Sequence, residues 1–189
     1  MISIKEDFLS NQVVLNSFLS NDENFHQIQL ASELLVSCIN SGGKILSCGN
    51  GGSMCDAMHF SQELSGFFNK KRKPLPAICI SDPSHITCVA NDTSFDYIFS
   101  RYIESLGKEN DVLFAISTSG KSKNIINAAK EAKKKSMNVI CLSSSGGSEL
   151  SDLSDISICV DTTMTSRCQE IHTIILHSII NYIEKKLNL

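Results

Sequence analysis

Apolar residues recur at three- and four-residue spacing over residues 2–19 and again over residues 25–39, so each stretch predicts an amphipathic helix before any strand signal begins. Asn40-Ser41-Gly42-Gly43 then supplies residues that end a helix. Beyond it the period changes. Short apolar runs at residues 44–48, 77–81, 111–116, 138–142 and 156–160 read as strands, and the stretches 53–66, 95–106, 121–135 and 167–187 have helical length and period. This alternation predicts an α/β fold: a three-layer sandwich in which a five-stranded parallel sheet is flanked by helices and preceded by the two N-terminal helices. In such sheets ligands bind beyond the carboxyl ends of the strands, where loops meet helix N-termini.

Composition narrows the picture. A chain of 189 residues can bury one full core but is short for two, so residues 1–189 are read as a single domain: helices over 1–41, then an α/β core over 44–189. The net charge of −3, with no concentrated Lys and Arg face, predicts no nucleic-acid partner. The basic runs Lys70-Lys71-Arg72-Lys73 and Lys133-Lys134-Lys135 read as solvated surface, the second at a predicted helix end where positive charge complements the dipole. No apolar stretch reaches membrane-spanning length, and the opening Met-Ile-Ser-Ile-Lys-Glu-Asp has no signal-peptide pattern, which predicts a cytoplasmic protein. The eight cysteines contain no C-x-x-C pair, and several lie in apolar runs. They are expected as reduced, buried thiols.

Two predicted strand-to-helix loops are suited to an anion. Cys48-Gly49-Asn50-Gly51-Gly52-Ser53 joins three glycines, whose backbone N–H groups can approach a ligand, to a helix start and a hydroxyl. It is neither a Walker loop nor a G-x-G-x-x-G fingerprint, so no nucleotide cofactor is implied. Ile116-Ser117-Thr118-Ser119-Gly120-Lys121-Ser122 carries four hydroxyls in six residues, where a plain N-cap needs one. Together they predict a phosphorylated ligand. The tract Ser143-Ser144-Ser145-Gly146-Gly147-Ser148 reads as a flexible turn.

Candidate chemistry follows these loops. His59 and Glu63 are four residues apart on one predicted helix and share a face, as a base or a metal-ligand pair would. Gln169, Glu170, His172 and His177 share the last helix. Gln169 and His177 lie within about 80° of each other but roughly 12 Å apart along the axis, so a ligand would sit between them. His172, three residues from Gln169, is an alternative partner, and spacing alone does not choose between the histidines. His26 and His85 have no such company.

Gly49-Asn50-Gly51-Gly52-Ser53, Cys55-Asp56-Ala57-Met58-His59-Phe60 and Glu63-Leu64 together resemble the signature of the phosphoheptose isomerases, a branch of the sugar isomerase (SIS) family. Ala90-Asn91-Asp92, Ile98-Phe99-Ser100-Arg101 and Gln169-Glu170-Ile171-His172 follow in that family's order, and the resemblance spans nearly the whole chain. It implies a homotetrameric isomerase with a Rossmann-like SIS fold. The implied reaction converts sedoheptulose 7-phosphate to glycero-manno-heptose 7-phosphate for bacterial surface polysaccharide. It further implies zinc on the positions matching His59, Glu63, Gln169 and His177, with Glu63 and His177 as the acid/base pair. Substrate contacts are implied at Asn50, Gly51, Gly52, Ser53, Glu63, Asn91, Asp92, Ser117, Thr118, Ser119, Ser122 and Gln169. Many relatives have Arg at Phe67 and Asp at Ser166, so a related phosphosugar is an alternative substrate. Ser166-Arg167-Cys168-Gln169-Glu170 also resembles a non-catalytic scaffold of the same fold that binds the bacterial replication initiator. His59, Glu63 and His177 favour the enzyme. A phosphosugar-sensing regulator would carry a DNA-binding module for which this chain has no room.

Overall fold

The computed structural model describes residues 3–144, 146 and 148–189; the expected helix start at Ile2, and Ser145 and Gly147 of the serine-glycine tract, lie outside them. Two helices, α1 (Ile4–Leu19) and α2 (Asp22–Asn40), precede five strands: β1 (Ile45–Gly49), β2 (Ala77–Cys79), β3 (Val112–Ile116), β4 (Asn138–Ser143) and β5 (Ile156–Cys159). All pair in parallel in the order β2-β1-β3-β4-β5. The connections are α3 (Gly52–Ser65), α4 (Pro83–Asp92), α5 (Ile98–Leu106), α6 (Lys123–Lys134) and α7 (Glu149–Leu153), and the chain ends in α8 (Thr165–Lys186).

Strand side chains alternate between two cores. Ile45, Val112, Phe114, Ile116, Ile140, Leu142 and Ile158 face a layer formed with α2, α3 and α8. Leu46, Cys48, Leu113, Ala115, Val139 and Cys141 face the other, formed with α4 to α7. Because both faces are covered, every residue of β1 and β3 is buried, and only Ser47 interrupts their apolar character.

Two helices were not expected. In α4, Asp82 accepts a hydrogen bond from the His85 amide at 2.8 Å and Pro83 occupies the first turn, a strong start signal. Its apolar stripe is only Ile86, Val89 and Ala90, of which Val89 alone is buried, too short a pattern to mark a helix by itself. In α7 only Leu150 is buried and the helix is a little over one turn. The stretch 95–106 enters α5 through a 3₁₀ turn at Phe95–Tyr97, capped by Ser94.

Two expectations about burial change. Arg72 is not solvated: its side chain is 1% exposed and paired with Glu184. Lys133 and Lys134, by contrast, make surface ion pairs with Asp155 and Glu131. Of the eight free cysteines, Cys55 and Cys88 are exposed, because each lies on the outer face of its helix. On α1, Ile4, Phe8 and Val13 are 75%, 74% and 68% exposed, so much of its apolar surface has no partner within the chain.

Asp111 fixes the edge where β1 and β3 begin. Buried at 2% exposure, it accepts from the backbone amides of Lys44 at 2.8 Å and Lys108 at 2.9 Å, and from the Lys44 ammonium at 2.5 Å. Asp111→Ala leaves those donors unpaired and is expected to lower unfolding free energy by about 3 kcal/mol, measured by urea denaturation. A loss within about 0.5 kcal/mol would show that water replaces the carboxylate.

Candidate active site

The direction of winding reverses between β1 and β3, and a doubly wound sheet opens a crevice at that point beyond the strand ends. Both anion loops leave from there. Gly51, with φ of 54°, turns the chain from β1 into α3, a conformation glycine adopts without strain. The second loop runs from β3 into α6. A reciprocal amide pair ties them: Asn50 and Asn124 each donate to the other's carbonyl oxygen at 2.9 Å. Asn124 is 3% exposed and was not expected; only its place as the second residue of α6 pointed to it. Ser117 donates to Ser122 across the loop at 3.4 Å. Ser122 stands at the N-cap of α6 without capping it through its side chain, so its hydroxyl belongs to the loop. Ser144 holds the loop from the next strand end by donating its amide, at 2.9 Å, and its hydroxyl to the Thr118 carbonyl. Ser53 is buried, while Ser119 and Lys121 are exposed.

Behind the first loop, α3 packs in parallel against α8. The register is readable residue by residue. The Gln169 amide lies over Gly52, where an added Cβ would stand 2.5 Å from Gln169 Nε2. Thr173 Oγ1 donates to Asp56 Oδ1 at 3.3 Å. His59 Nε2 meets His177 Nε2 at 2.8 Å, and Glu63 Oε1 is 3.8 Å from His59 Nε2. Steps of three and four residues on each helix thus place the four expected ligands along one seam. His59, Glu63 and His177 converge, whereas Gln169 stands nearer the glycine loop. Phe68 stacks on His177 with ring centroids 5.3 Å apart.

Asp56 lies in this seam and was not assigned a role, although it shares a helix face with His59. Its Oδ2 is buried without a hydrogen-bond partner among the described residues, and burial raises the pKa of the carboxyl. Asn91 and Asp92 end α4, exposed, bonded to each other and to Cys88 rather than to either loop. His172 is excluded from the seam. It is fully buried, with Nε2 at 3.3 Å from the Ser143 carbonyl and 3.2 Å from Cys168 Sγ, and burial pushes its pKa down to about 4. His85 is held by the Ile98 carbonyl and meets Tyr102 edge to face.

The seam's donor set, two imidazole nitrogens, a carboxylate and an amide oxygen, fits a divalent ion such as zinc in type. Among the described residues, no three His, Cys, Asp or Glu side chains are gathered closely enough to hold one, and the two imidazoles meet each other instead.

The SIS domain family model matches residues 11–144. The chain is 50% identical over 177 residues to the phosphoheptose isomerase of Hamiltonella defensa, covering 93% of this chain and 86% of that one. Its fold superposes on the phosphoheptose isomerase of Neisseria gonorrhoeae with a TM-score of 0.90 at 33% identity, covering 96% and 97% of the two chains. The corresponding Francisella tularensis structure gives 0.89 at 34% identity, covering 98% and 100%.

Folding holds His172 neutral, so below its ordinary pKa of 6.5 the unfolded chain binds more protons than the folded one. The stability that this burial preserves is complete above that value and is lost as the pH falls toward 4. Between about pH 7 and pH 4.5 the His172 contribution is about 2 to 3 kcal/mol, and His172→Leu should flatten the urea-midpoint profile by that amount. An unchanged slope would assign acid sensitivity to other groups. Gly52→Ala is expected to fold, because the clashing Gln169 amide ends a flexible side chain, but to weaken phosphosugar binding measured by calorimetry. Wild-type affinity would remove Gln169 from the site.

Proposed function

The chain belongs to the SIS domain family, among its phosphoheptose isomerases, and from that premise we propose that it interconverts sedoheptulose 7-phosphate and glycero-manno-heptose 7-phosphate at the α3–α8 seam. It is an aldose–ketose isomerase. The observation that carries the site assignment is the convergence of His59, His177 and Glu63 one helix length behind a glycine loop at the sheet's switch point.

The phosphate is held by the hydroxyls of Ser117, Thr118, Ser119 and Ser122 with the backbone amides at the start of α6. Asn50, Gly51, Gly52, Ser53, Asn91, Asp92 and Gln169 receive the rest of the sugar. Glu63 removes a proton from C1; the C–H electron pair becomes the C1=C2 bond, and the carbonyl oxygen at C2 takes up a proton. His177 carries protons between O1 and O2, and Glu63 returns its proton to C2 as the C1 carbonyl forms. Zinc held by His59, Glu63, Gln169 and His177 would, when bound, polarise the carbonyl and stabilise the negative charge that develops on the sugar oxygens. Glu63 has two carboxylate oxygens, one for each duty.

A homotetramer completes this reading. The unpartnered apolar residues of α1, together with Met58 and Phe67 at 47% and 54% exposure beside the seam, suit contact with further copies of the chain. No helix among the described residues is long and apolar enough to cross a membrane, which is compatible with a cytoplasmic enzyme supplying heptose for surface polysaccharide. Phe67 and Ser166, both exposed at the seam's ends, stand where many relatives carry charge, so a related phosphosugar is the competing substrate.

The test is isomerisation of sedoheptulose 7-phosphate by the purified protein, with and without chelator and added zinc, followed by NMR. Aldose phosphate should appear only with metal. Glu63→Gln should lower kcat by at least about a thousandfold while phosphate binding persists. Turnover by Glu63→Gln near the wild-type rate would remove Glu63 as the base, and turnover of another phosphosugar alone would replace the substrate.

A further inference from the structure

Glu63 stands in the last turn of α3, where helix carbonyls lack partners within the helix and the backbone frays most readily. A base there can abstract a carbon-bound proton only if something outside the helix holds that turn. The Gly66 amide closes on the Gln62 carbonyl at 2.8 Å, and the Leu75 amide reaches the Leu64 carbonyl at 3.0 Å. The Glu63 carbonyl has a different partner. Arg72 Nη2 donates to it at 2.7 Å, and Nη1 of the same guanidinium donates to the carbonyls of Leu64 at 2.8 Å and Lys73 at 3.0 Å, with Gly66 at 3.3 Å. Nε donates to Glu184 Oε1 at 2.6 Å.

Every nitrogen of the fork is therefore used, and its side chain is 1% exposed. This is a guanidinium C-cap: a buried cation on the negative end of α3 that satisfies its terminal carbonyls. Glu184 lies near the end of α8, seven residues beyond His177, so the same side chain ties the end of α3 to the helix that carries His177. Asn69 reinforces the tie by donating to Asn181 at 2.7 Å.

We propose that Arg72 is a positioning residue for the isomerisation: by gripping the Glu63 carbonyl and anchoring to Glu184, it sets where the Glu63 carboxylate stands relative to His177. The inference rests on the reading of Glu63 as the base. Arg72 touches no reacting atom and acts through the backbone of Glu63. An error of about 1 Å in a reacting group costs on the order of a hundredfold in rate, so loss of the cap should appear in kcat. The phosphate loops are at the other end of α3, so KM should be nearly unaffected. Lysine cannot replace arginine, because a point charge on a flexible stem does not hold several carbonyls in one plane.

Removing Arg72 alone would leave Glu184 buried and unpaired, so the variant for the test is Arg72→Met with Glu184→Leu, which removes both charges and keeps the space filled. On the tetramer or whatever assembly the wild type forms, with folded protein quantified by circular dichroism, three quantities are read. These are kcat, KM for sedoheptulose 7-phosphate, and hydrogen–deuterium exchange of the segment ending α3. The expected result is a tenfold to hundredfold fall in kcat, KM within about twofold, and faster exchange confined to that segment. An unchanged kcat in folded protein, or a fall in rate that matches the loss of folded protein, overturns the inference. If the double variant does not fold, Arg72→Lys is measured in its place, and an unchanged kcat there overturns it equally. Glu63→Gln is run beside them: if that variant keeps wild-type turnover, the assignment of the base has failed. If it is inactive while the Arg72 variants retain full kcat, only the positioning role has failed.

Discussion

The parallel register of α3 against α8 is the constraint on which the site depends. Gly52 against Gln169, Asp56 against Thr173 and His59 against His177 are successive steps of one packing row, so a slip of a single turn would separate every pair at once. A side chain larger than hydrogen at position 52 would push Gln169 away. Tight backbone approach at the top of the seam and the Arg72–Glu184 ion pair at the bottom fix the same register from opposite ends.

The sheet explains why the seam faces a phosphate-shaped crevice. With strand order β2-β1-β3-β4-β5, the loops after the adjacent strands β1 and β3 diverge to opposite faces where the direction of winding reverses. One of them opens α3, so under the proposed reading a ligand anchored by its phosphate near α6 would extend toward the helix that carries His59 and Glu63. The Asn50–Asn124 amide pair keeps the loops at fixed separation without charge.

Much of this was legible in the sequence because it follows from periodicity. Five apolar runs became five strands, the three central ones largely buried, within a residue or two at most ends, and the four-residue spacing of His59 and Glu63 placed both in the seam. What could not be read had a consistent physical cause. Helix α4 carries an apolar stripe of only three residues, Ile86, Val89 and Ala90, too short to stand out from a loop. Arg72 sits among three lysines and resembles a solvated run; only the folded position of Glu184, far along the chain, removes it from water. Gln169 and His172 are three residues apart, yet one meets Gly52 and the other the Ser143 carbonyl, because the helix phase relative to two different neighbours decides. The same phase separates His172 from His177. Five residues turn the side chain by about 140°, from the sheet's carboxyl edge, where burial keeps it neutral, to the seam.

Parallel packing also carries an electrostatic consequence. Two helices side by side in the same direction bring their positive N-terminal ends together and their negative C-terminal ends together, an arrangement that is unfavourable unless opposite charge is supplied at each end. At the N-terminal end lies the glycine loop, whose positive potential would favour an anionic sugar phosphate held close by at the start of α6. At the C-terminal end the chain supplies its own cations: Arg72 on the last carbonyls of α3, and Lys185 and Lys186 in the last turn of α8. Arg72 has to be buried because it fills the angle between the two helices, and a buried guanidinium requires the carboxylate that Glu184 provides. The polarity that favours the substrate at one end of the seam thus creates the need for a buried ion pair at the other, and Glu63 lies where that ion pair grips the backbone.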